Sequence, residues 1–374
     1  VRLTVFGPGF PFRGGIASTT TRLVGALTAR GREVLFLTPS RQYPRWLYPG
    51  VSDRDPEACP PVAGARPLID PCNPIGWRRV RRIGEDYRAD AWIVPYWTSA
   101  WSGLWSYLLA SRGRPPTIAV VHNPFDHDAR PWQRLAARRV LGRCDGLFTH
   151  AESLAGELEH AHPTLPVAHH RLPATAAPQS LDRTRARIAL GLPETRRVAL
   201  FLGLIRPYKG VDVLLDAAAA LPPGSDWLVL IAGEPWGGLG DRLRRQASSL
   251  GLEGRVRLDL GWVPEGRVAT LLAAADLLVL PYRRGSQSAV APLALASGLP
   301  VLSTAVGGVP ELIVDGDNGV IAPPGDSSAI AAALEALDTG RLARLAEGAR
   351  RSVAGLDWDA YAAALEELIA RVVK

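Results

Sequence analysis

FLGLIRPYKG, residues 201–210, is the stretch from which the rest of the chain is read. Phe201 and Leu202 close an apolar run, Gly203 ends it, and a short turn then delivers Arg206 and Lys209 ahead of VDVLLDAAAAL, whose apolar spacing is helical. A strand, a glycine turn and a helix in that order form one βα unit of a parallel α/β sheet. Lysine occurs elsewhere only as Lys374, so a lysine kept beside an arginine suggests two jobs, a planar fork for paired oxygens and a compact point charge. That pairing suits phosphate, with solvated loop charges as the alternative.

At 374 residues and 40.1 kDa the chain exceeds what one core usually organises, so two domains of about 150 to 200 residues each are expected. The N-terminus VRLTVFGPGF reads as a first strand, and no run of about 18 apolar residues is present, which points to a cytoplasmic protein. Cys59, Cys72 and Cys144 show no C-x-x-C spacing and argue for neither a disulfide framework nor a cysteine-rich zinc site. The net charge of +7 is uneven. Residues 1–172 hold 22 arginines against 14 acids, and the remainder 21 basic residues against 22 acidic ones. The first half therefore either faces something acidic, such as lipid headgroups, a phosphorylated acceptor or nucleic acid, or carries an arginine-biased solvated surface.

Strand and helix alternate from the start. The strand Arg2 to Phe6 runs into GPGFPFRGG and a helix from about Ile16 to Arg30, and the loop is not the G-x-G-x-x-G dinucleotide fingerprint. Gly14 and Gly15 stand at that helix N-terminus, either to let an anion approach or only to make a tight turn. GREVLFLTPS, ADAWIVPYW, PTIAVVHNPF and DGLFTH read as further strands, separated by the helices WRRVRRIGEDY, SGLWSYLLASRG and RPWQRLAARRVLGR. Residues 40–75 read as an irregular insertion. The expected division is an N-terminal domain over 1–172, a linker over 173–190 ending in a short helix, and a second domain over 191–357. A last helix over 358–374 is expected to be a packing element, the N-terminal domain being one surface for it.

His122 ends a strand at the carboxyl edge, where open α/β sheets bind ligands, with Asn123, His127 and Asp128 close by. It reads as a functional or a structural histidine. DRD at 53–55, DHD at 126–128, DGD at 315–317 and DWD at 357–359 share the D-x-D spacing of metal–diphosphate sites, but four scattered matches mark a short pattern, and no metal is expected. In LLVLPYRRGSQSAVAPLALASG a strand, a polar loop and a helix start place the N–H groups around Ser288, Ala289 and Val290 toward an anion, and Arg206 and Lys209 come from a neighbouring strand end.

Several of these segments, taken in order, resemble the GT-B glycosyltransferases of the retaining family-4 type: GGIA, HN, GLIRPYKGVDVLL and SGLPVLSTAVGGVPELIVDGDNG. GPGFPFRGG, SRQYPRWLYPG, DPCNPIGW, HNPFDHD and LPYRRGSQSAV resemble a bacterial subgroup with SRQYP, HN-x4-D and SQS motifs. The resemblance implies two Rossmann-like domains facing each other across a cleft. It also implies no cofactor, a nucleotide-diphosphate sugar of UDP or GDP type as co-substrate, and retention without a metal. Arg206 and Lys209 would neutralise the departing diphosphate, Gly14 and Gly15 would meet the same phosphates, and His122 would contact the transferring sugar. Val263 would border the base, with Ser286, Gln287, Ser288, Ala289 and Val290 also on the donor. Arg41, Trp97, Asn123, His127 and Asp128 would lie on the acceptor side, toward a small-molecule, glycan or lipid-linked acceptor.

One departure stands out. The family's E-x7-E pair falls on Gly285 and Leu293, so both carboxylates are missing, and Gln287 and Ser288 are the residues left to contact the sugar. A nucleotide-sugar epimerase of the same architecture and a non-catalytic sugar-nucleotide or membrane-binding module remain alternatives. A nucleic-acid partner is not expected, because the arginines lie in no accepted binding motif. Arg130, Arg134, Arg138 and Arg139 beside Trp132, Leu135 and Leu141 suit peripheral contact with the inner face of a membrane, or an ordinary surface helix packed on the sheet. Trp97, Trp101 and Trp105 recur at helical spacing and read as core, with Trp97 also able to face an acceptor.

Overall fold

A computed structural model describes residues 1–42, 52–55, 64–125, 130–173 and 182–373. The chain divides into two units, one made of residues 1–172 with 356–374 and the other of residues 173–355.

The first unit is built on seven strands: β1 (Arg2–Phe6), β2 (Glu33–Pro39), β3 (Arg66–Ile69), β4 (Ala91–Tyr96), β5 (Thr117–Val121), β6 (Gly146–Thr149) and β7 (Val167–His169). They form one parallel sheet in the order β3-β2-β1-β4-β5-β6-β7. The central strands are covered on both faces, which is why AWIVPY and TIAVV are continuous apolar runs. Alternation decides which side each residue serves. Ile118 and Val120 join Leu3, Val5, Leu23 and Leu27 on one face, and Ala119 and Val121 join Phe6, Trp92 and Trp105 on the other.

The C-terminal helix Trp358–Val372 completes the first of these two faces. Asp357 caps it by accepting from the Ala360 N–H at 2.8 Å, and Tyr361, Leu365 and Leu368 enter the cluster around Ile118 and Phe148. Trp97, Trp101 and Trp105 are all buried in the opposite face, with ring centroids 4.8 and 5.5 Å apart in sequence.

The second unit carries β8 (Arg197–Leu202), β9 (Trp227–Gly233), β10 (Val256–Leu260), β11 (Leu277–Leu280), β12 (Val301–Thr304) and β13 (Gly319–Ala322), all parallel, in the order β10-β9-β8-β11-β12-β13. The helix Arg183–Leu190, at the end of the stretch read as a linker, belongs to this unit. Its Arg187 is fully buried, donates to the backbone oxygens of Pro193, Glu194, Arg196 and Ala274, and pairs with Asp276 at 2.6 Å. Burial lowers the Arg187 pKa, and the Asp276 charge opposes that shift.

The reading of residues 40–75 as wholly irregular is corrected by β3, which continues the sheet beyond β2 with a register shift at Thr38/Pro39. Pro67 is tolerated there because β3 is an edge strand. β7 and β13, also at edges, add strands that the alternation of long apolar runs did not announce.

Candidate active site

In the second unit β8 and β11 are neighbours, yet the strands that follow them in sequence lie on opposite sides. The carboxyl ends of such a pair form the topological switch point of an open parallel sheet, where connecting loops diverge and leave a crevice. The β8 exit carries Gly203, Arg206 and a 3-10 turn over Pro207–Lys209, and the β11 exit carries residues 281–289. Gly210 has φ +66°, and a Cβ added there would stand 1.9 Å from the Pro281 carbonyl oxygen, so only glycine lets the two exits press together. Arg283 fastens them further. Its backbone N–H donates to the Tyr208 carbonyl oxygen at 2.7 Å, and its guanidinium forks onto Asp212 at 2.6 and 2.7 Å.

Arg206 lies over the Trp236 ring with its guanidinium carbon 3.3 Å from the centroid. The Lys209 ammonium is 5.5 Å from the Tyr282 ring centroid, and close enough to Gly203 that a Cβ there would be 3.5 Å from Nζ. Among the described residues no carboxylate forms an ion pair with Lys209. Burial lowers its pKa, the Tyr208 hydroxyl opposes that shift, and the Arg206 charge adds to it. An anion placed between these two cations would relieve both the desolvation and the mutual repulsion. Trp236 and Tyr282 were not singled out from the sequence, and no local pattern marks them as cation neighbours.

The β11 loop supplies polar atoms to the same end of the sheet. The Gln287 amide nitrogen Nε2 is buried without a hydrogen-bond partner among the described residues. Ser288 is buried, accepts from the Val290 and Ala291 N–H groups at 3.3 Å each, and lies 3.4 Å from the Tyr282 hydroxyl. Its hydroxyl thus caps the helix Val290–Ala296, while Ala289 is exposed and Val290 half-buried. The Ser286 carbonyl accepts from the Gly308 N–H at 2.9 Å, which braces the loop from the β12 side. Gly285 and Leu293 offer no carboxylate, and Leu293 packs against the core. Val263 lines a cavity of about 300 Å³ beyond β10 together with Arg257, Asp259, Gly261, Trp262 and Arg267, in which Asp259 pairs with both arginines.

In the first unit Gly14 is the N-cap of the helix Gly15–Ala29, with φ +104° and no side chain to cap the first turn. The free N–H groups of that turn favour an anion. The Arg13 backbone N–H donates to the Asp53 carbonyl oxygen and the Asp55 backbone N–H to the Pro11 carbonyl oxygen, both at 2.8 Å, which ties the glycine loop to residues 52–55.

His122 leaves β5 with its backbone N–H donated to the Tyr96 carbonyl oxygen at 2.8 Å, and the residue is 8% exposed. Its Nδ1 lies 3.0 Å from His150 Nε2, and His150 Nδ1 lies 3.2 Å from the Tyr361 hydroxyl. Burial brings the His122 pKa down to about 3, so the imidazole is neutral near pH 7. His150 is also held well below its ordinary value, by burial first and then by the neighbouring histidines. Asn123 follows on a half-buried position, while His127 and Asp128 lie outside the described residues. Arg41 is committed to Asp70 at 2.9 and 3.0 Å, and Trp97 is largely used in packing against Trp101.

Five of the D-x-D carboxylates serve the backbone or arginines. Asp53 accepts from Gln42 N–H, Asp315 from Ile321 N–H and Asp357 from Ala360 N–H, while Asp317 pairs with Arg351 and Asp359 with Arg30. DHD at 126–128 lies outside the described residues. Among the described residues no group of three or more His, Cys, Asp or Glu side chains could hold a metal ion. No described helix is long and apolar enough to cross a membrane.

The family described as Glycosyltransferase Family 4 matches residues 13–170, and that described as Glycosyl transferases group 1 matches residues 182–352. The D-inositol 3-phosphate glycosyltransferase of Xylanimonas cellulosilytica is 30% identical, over 98% of this chain and 94% of its own length. The protein of the same name from Mycolicibacterium vanbaalenii is 35% identical over 67% of this chain, a match that spans 60% of that relative. Among solved structures, sucrose-phosphate synthase from Thermosynechococcus elongatus aligns with a TM-score of 0.81 at 18% identity, covering 99% of this chain and 98% of its own. HepE from Anabaena in complex with UDP aligns at 0.75 and 18% identity, covering 99% and 100%. The two parallel-sheet units have the GT-B fold, and the chain belongs to family 4 of the glycosyltransferases.

Proposed function

We propose that the chain transfers a glycosyl group from a nucleotide-diphosphate sugar of UDP or GDP type to a small-molecule, glycan or lipid-linked acceptor, with retention of anomeric configuration and without a divalent metal. The observation that carries this reading is the pair Arg206 and Lys209 at the β8 exit, beside the β11 loop, where the Gln287 amide nitrogen has no hydrogen-bond partner among the described residues. Two cations at one strand exit can stabilise the charge that grows on a leaving diphosphate, the role a metal fills elsewhere. The C1–O bond to the phosphate breaks as the acceptor oxygen bonds to C1 on the same face, and the acceptor proton passes to the leaving phosphate oxygen. No protein nucleophile is needed.

In this reading the second unit holds the donor, with Ser286, Gln287, Ser288, Ala289 and Val290 on the sugar and phosphates and Val263 near the base. In the first unit, the N–H groups at Gly14 and Gly15 serve phosphate oxygens and His122 the transferring sugar, while Arg41, Trp97, Asn123, His127 and Asp128 serve the acceptor. The transferase relatives favour transfer over epimerisation. A binding screen of nucleotide sugars, followed by product mass analysis with EDTA present and with inositol phosphate among the acceptors, tests the proposal. UDP or GDP binding with no product from any acceptor would instead favour a non-catalytic module.

A peripheral membrane contact in a cytoplasmic setting is the second part of the proposal, and the helix Pro131–Leu141 supports it. It packs through Ala137, Val140 and Leu141 but leaves Trp132 61% and Leu135 50% exposed, beside the exposed Arg130, Arg134, Arg138 and Arg139. An aromatic and an aliphatic side chain ringed by arginines match an anionic lipid surface.

A further inference from the structure

Strand register brings three residues far apart in sequence into one buried line. Val121 of β5 pairs with Thr149 of β6, so the residues that follow, His122 and His150, leave adjacent strands side by side. Tyr361 reaches the far side of His150 from the C-terminal helix, with its ring edge-on to Phe148 at 5.1 Å and at 21° to the His150 ring, centroids 5.7 Å apart. His122 is 8%, His150 3% and Tyr361 0% exposed. We infer that Tyr361, acting through His150, holds the His122 imidazole in the tautomer that carries its proton on Nε2, so that His122 offers a hydrogen-bond donor rather than a base.

The direction follows from donor accounting. The Tyr361 hydroxyl is fully buried, and its hydrogen bond among the described residues is to His150 Nδ1. A buried O–H must be satisfied, so it donates there and Nδ1 accepts. His150, with Nδ1 accepting, carries its proton on Nε2 and donates it to His122 Nδ1 across 3.0 Å. His122, with Nδ1 accepting, keeps its proton on Nε2, the ring nitrogen that His150 does not use. The reverse order would have His150 donate to the tyrosine oxygen and leave the buried phenolic proton without that acceptor. Burial keeps both rings neutral, so neither carries two protons. Tyr361 and His150 are therefore positioning residues. The tautomer stands on this geometry alone, and its use on a sugar hydroxyl rests on the transfer reading, so the test reads the tautomer without turnover.

The experiment is a long-range proton–nitrogen correlation spectrum of the full chain labelled with 15N-histidine, near pH 7, with the His122 and His150 signals assigned by their loss in His122→Asn and His150→Asn. Expected are pyridine-type Nδ1 and pyrrole-type Nε2 signals for both residues. In Tyr361→Phe, which removes one oxygen and keeps the ring packing, the two His122 nitrogen shifts should move toward each other as the second tautomer becomes populated. A pyrrole-type Nδ1 on either histidine of the wild type overturns the inference, whether or not Tyr361→Phe folds. An unchanged His122 pattern in a folded Tyr361→Phe protein overturns it as well, because a purely structural tyrosine would leave the tautomer alone.

Discussion

Glu366, near the end of the chain, takes the guanidinium of Arg32 at 2.6 Å and that of Arg30 at 3.1 Å, and so ties the C-terminal helix to the segment that leads into β2. The Arg32 hydrogen bond, more than the charges around it, holds the Glu366 carboxyl below its ordinary value, against the opposing pull of burial. A carboxyl with a depressed folded pKa contributes stability above its unfolded value of 4.5 and loses it as pH falls through the folded pKa. Glu366→Gln should cost about 1–3 kcal/mol at pH 7, since hydrogen bonds between charged groups are lost. In denaturant titrations the gap between wild type and variant should close in acid. A gap that stays constant down to pH 3 would mean that Glu366 contributes packing rather than charge.

Lys209→Ala should lower transfer by about 10²–10³-fold, the usual cost of removing one group that stabilises transition-state charge. Folding should survive, because no described carboxylate is left without its partner. Donor consumption is the measurement, and undiminished turnover in a folded variant would remove Lys209 from the chemistry.

Gly210→Ala should destabilise the second unit more than Gly191→Ala does. Both glycines have positive φ, +66° and +61°, so both variants pay the left-handed strain of about 1–2 kcal/mol. Only at Gly210 would the new methyl collide with Pro281, while Gly191 opens onto free space. Equal shifts in the denaturation midpoint would show that the loop moves aside at no cost.

Arg187→Ala leaves Asp276 without its buried partner and four backbone oxygens without that donor. A loss of about 3–5 kcal/mol is expected in thermal or denaturant unfolding. Arg183, which also reaches Asp276 at 2.8 Å but is more exposed, should matter by less than about 1 kcal/mol.

Trp132→Ser with Leu135→Ser should abolish co-sedimentation with anionic liposomes at low salt and leave turnover of soluble substrates unchanged. Neither residue packs in the core, so stability should hold. Wild-type protein that stays in the supernatant at low salt would end the membrane reading.

What could be read from the sequence follows the range of the interactions. The β8 exit was legible because strand, glycine, cations and helix lie within about twenty residues of one βα unit. β3 and β7 were not, because RPLI and VAH are too short to show a period and draw their pairing from neighbouring strands. The sequence offers the Ser288 side chain as a sugar contact, and its capping of the helix Val290–Ala296 adds a local role for the same hydroxyl. The line from His122 through His150 to Tyr361 had no local signature at all. Its last hydrogen bond spans 211 positions, and only the sheet register and the returning helix bring the groups together.

That returning helix also sets an order of assembly. Residues 173–355 form the second unit without interruption, so every residue of its core has been made before the last helix emerges. The first unit, begun earlier, keeps the face that Tyr361, Leu365 and Leu368 will cover open to water until residues 358–372 arrive. During synthesis the unit that starts first is therefore the one that finishes last. A nascent chain halted near residue 355 would pair a finished second unit with a first unit still exposing Ile118, Val120 and Phe148, a surface for chaperones to meet.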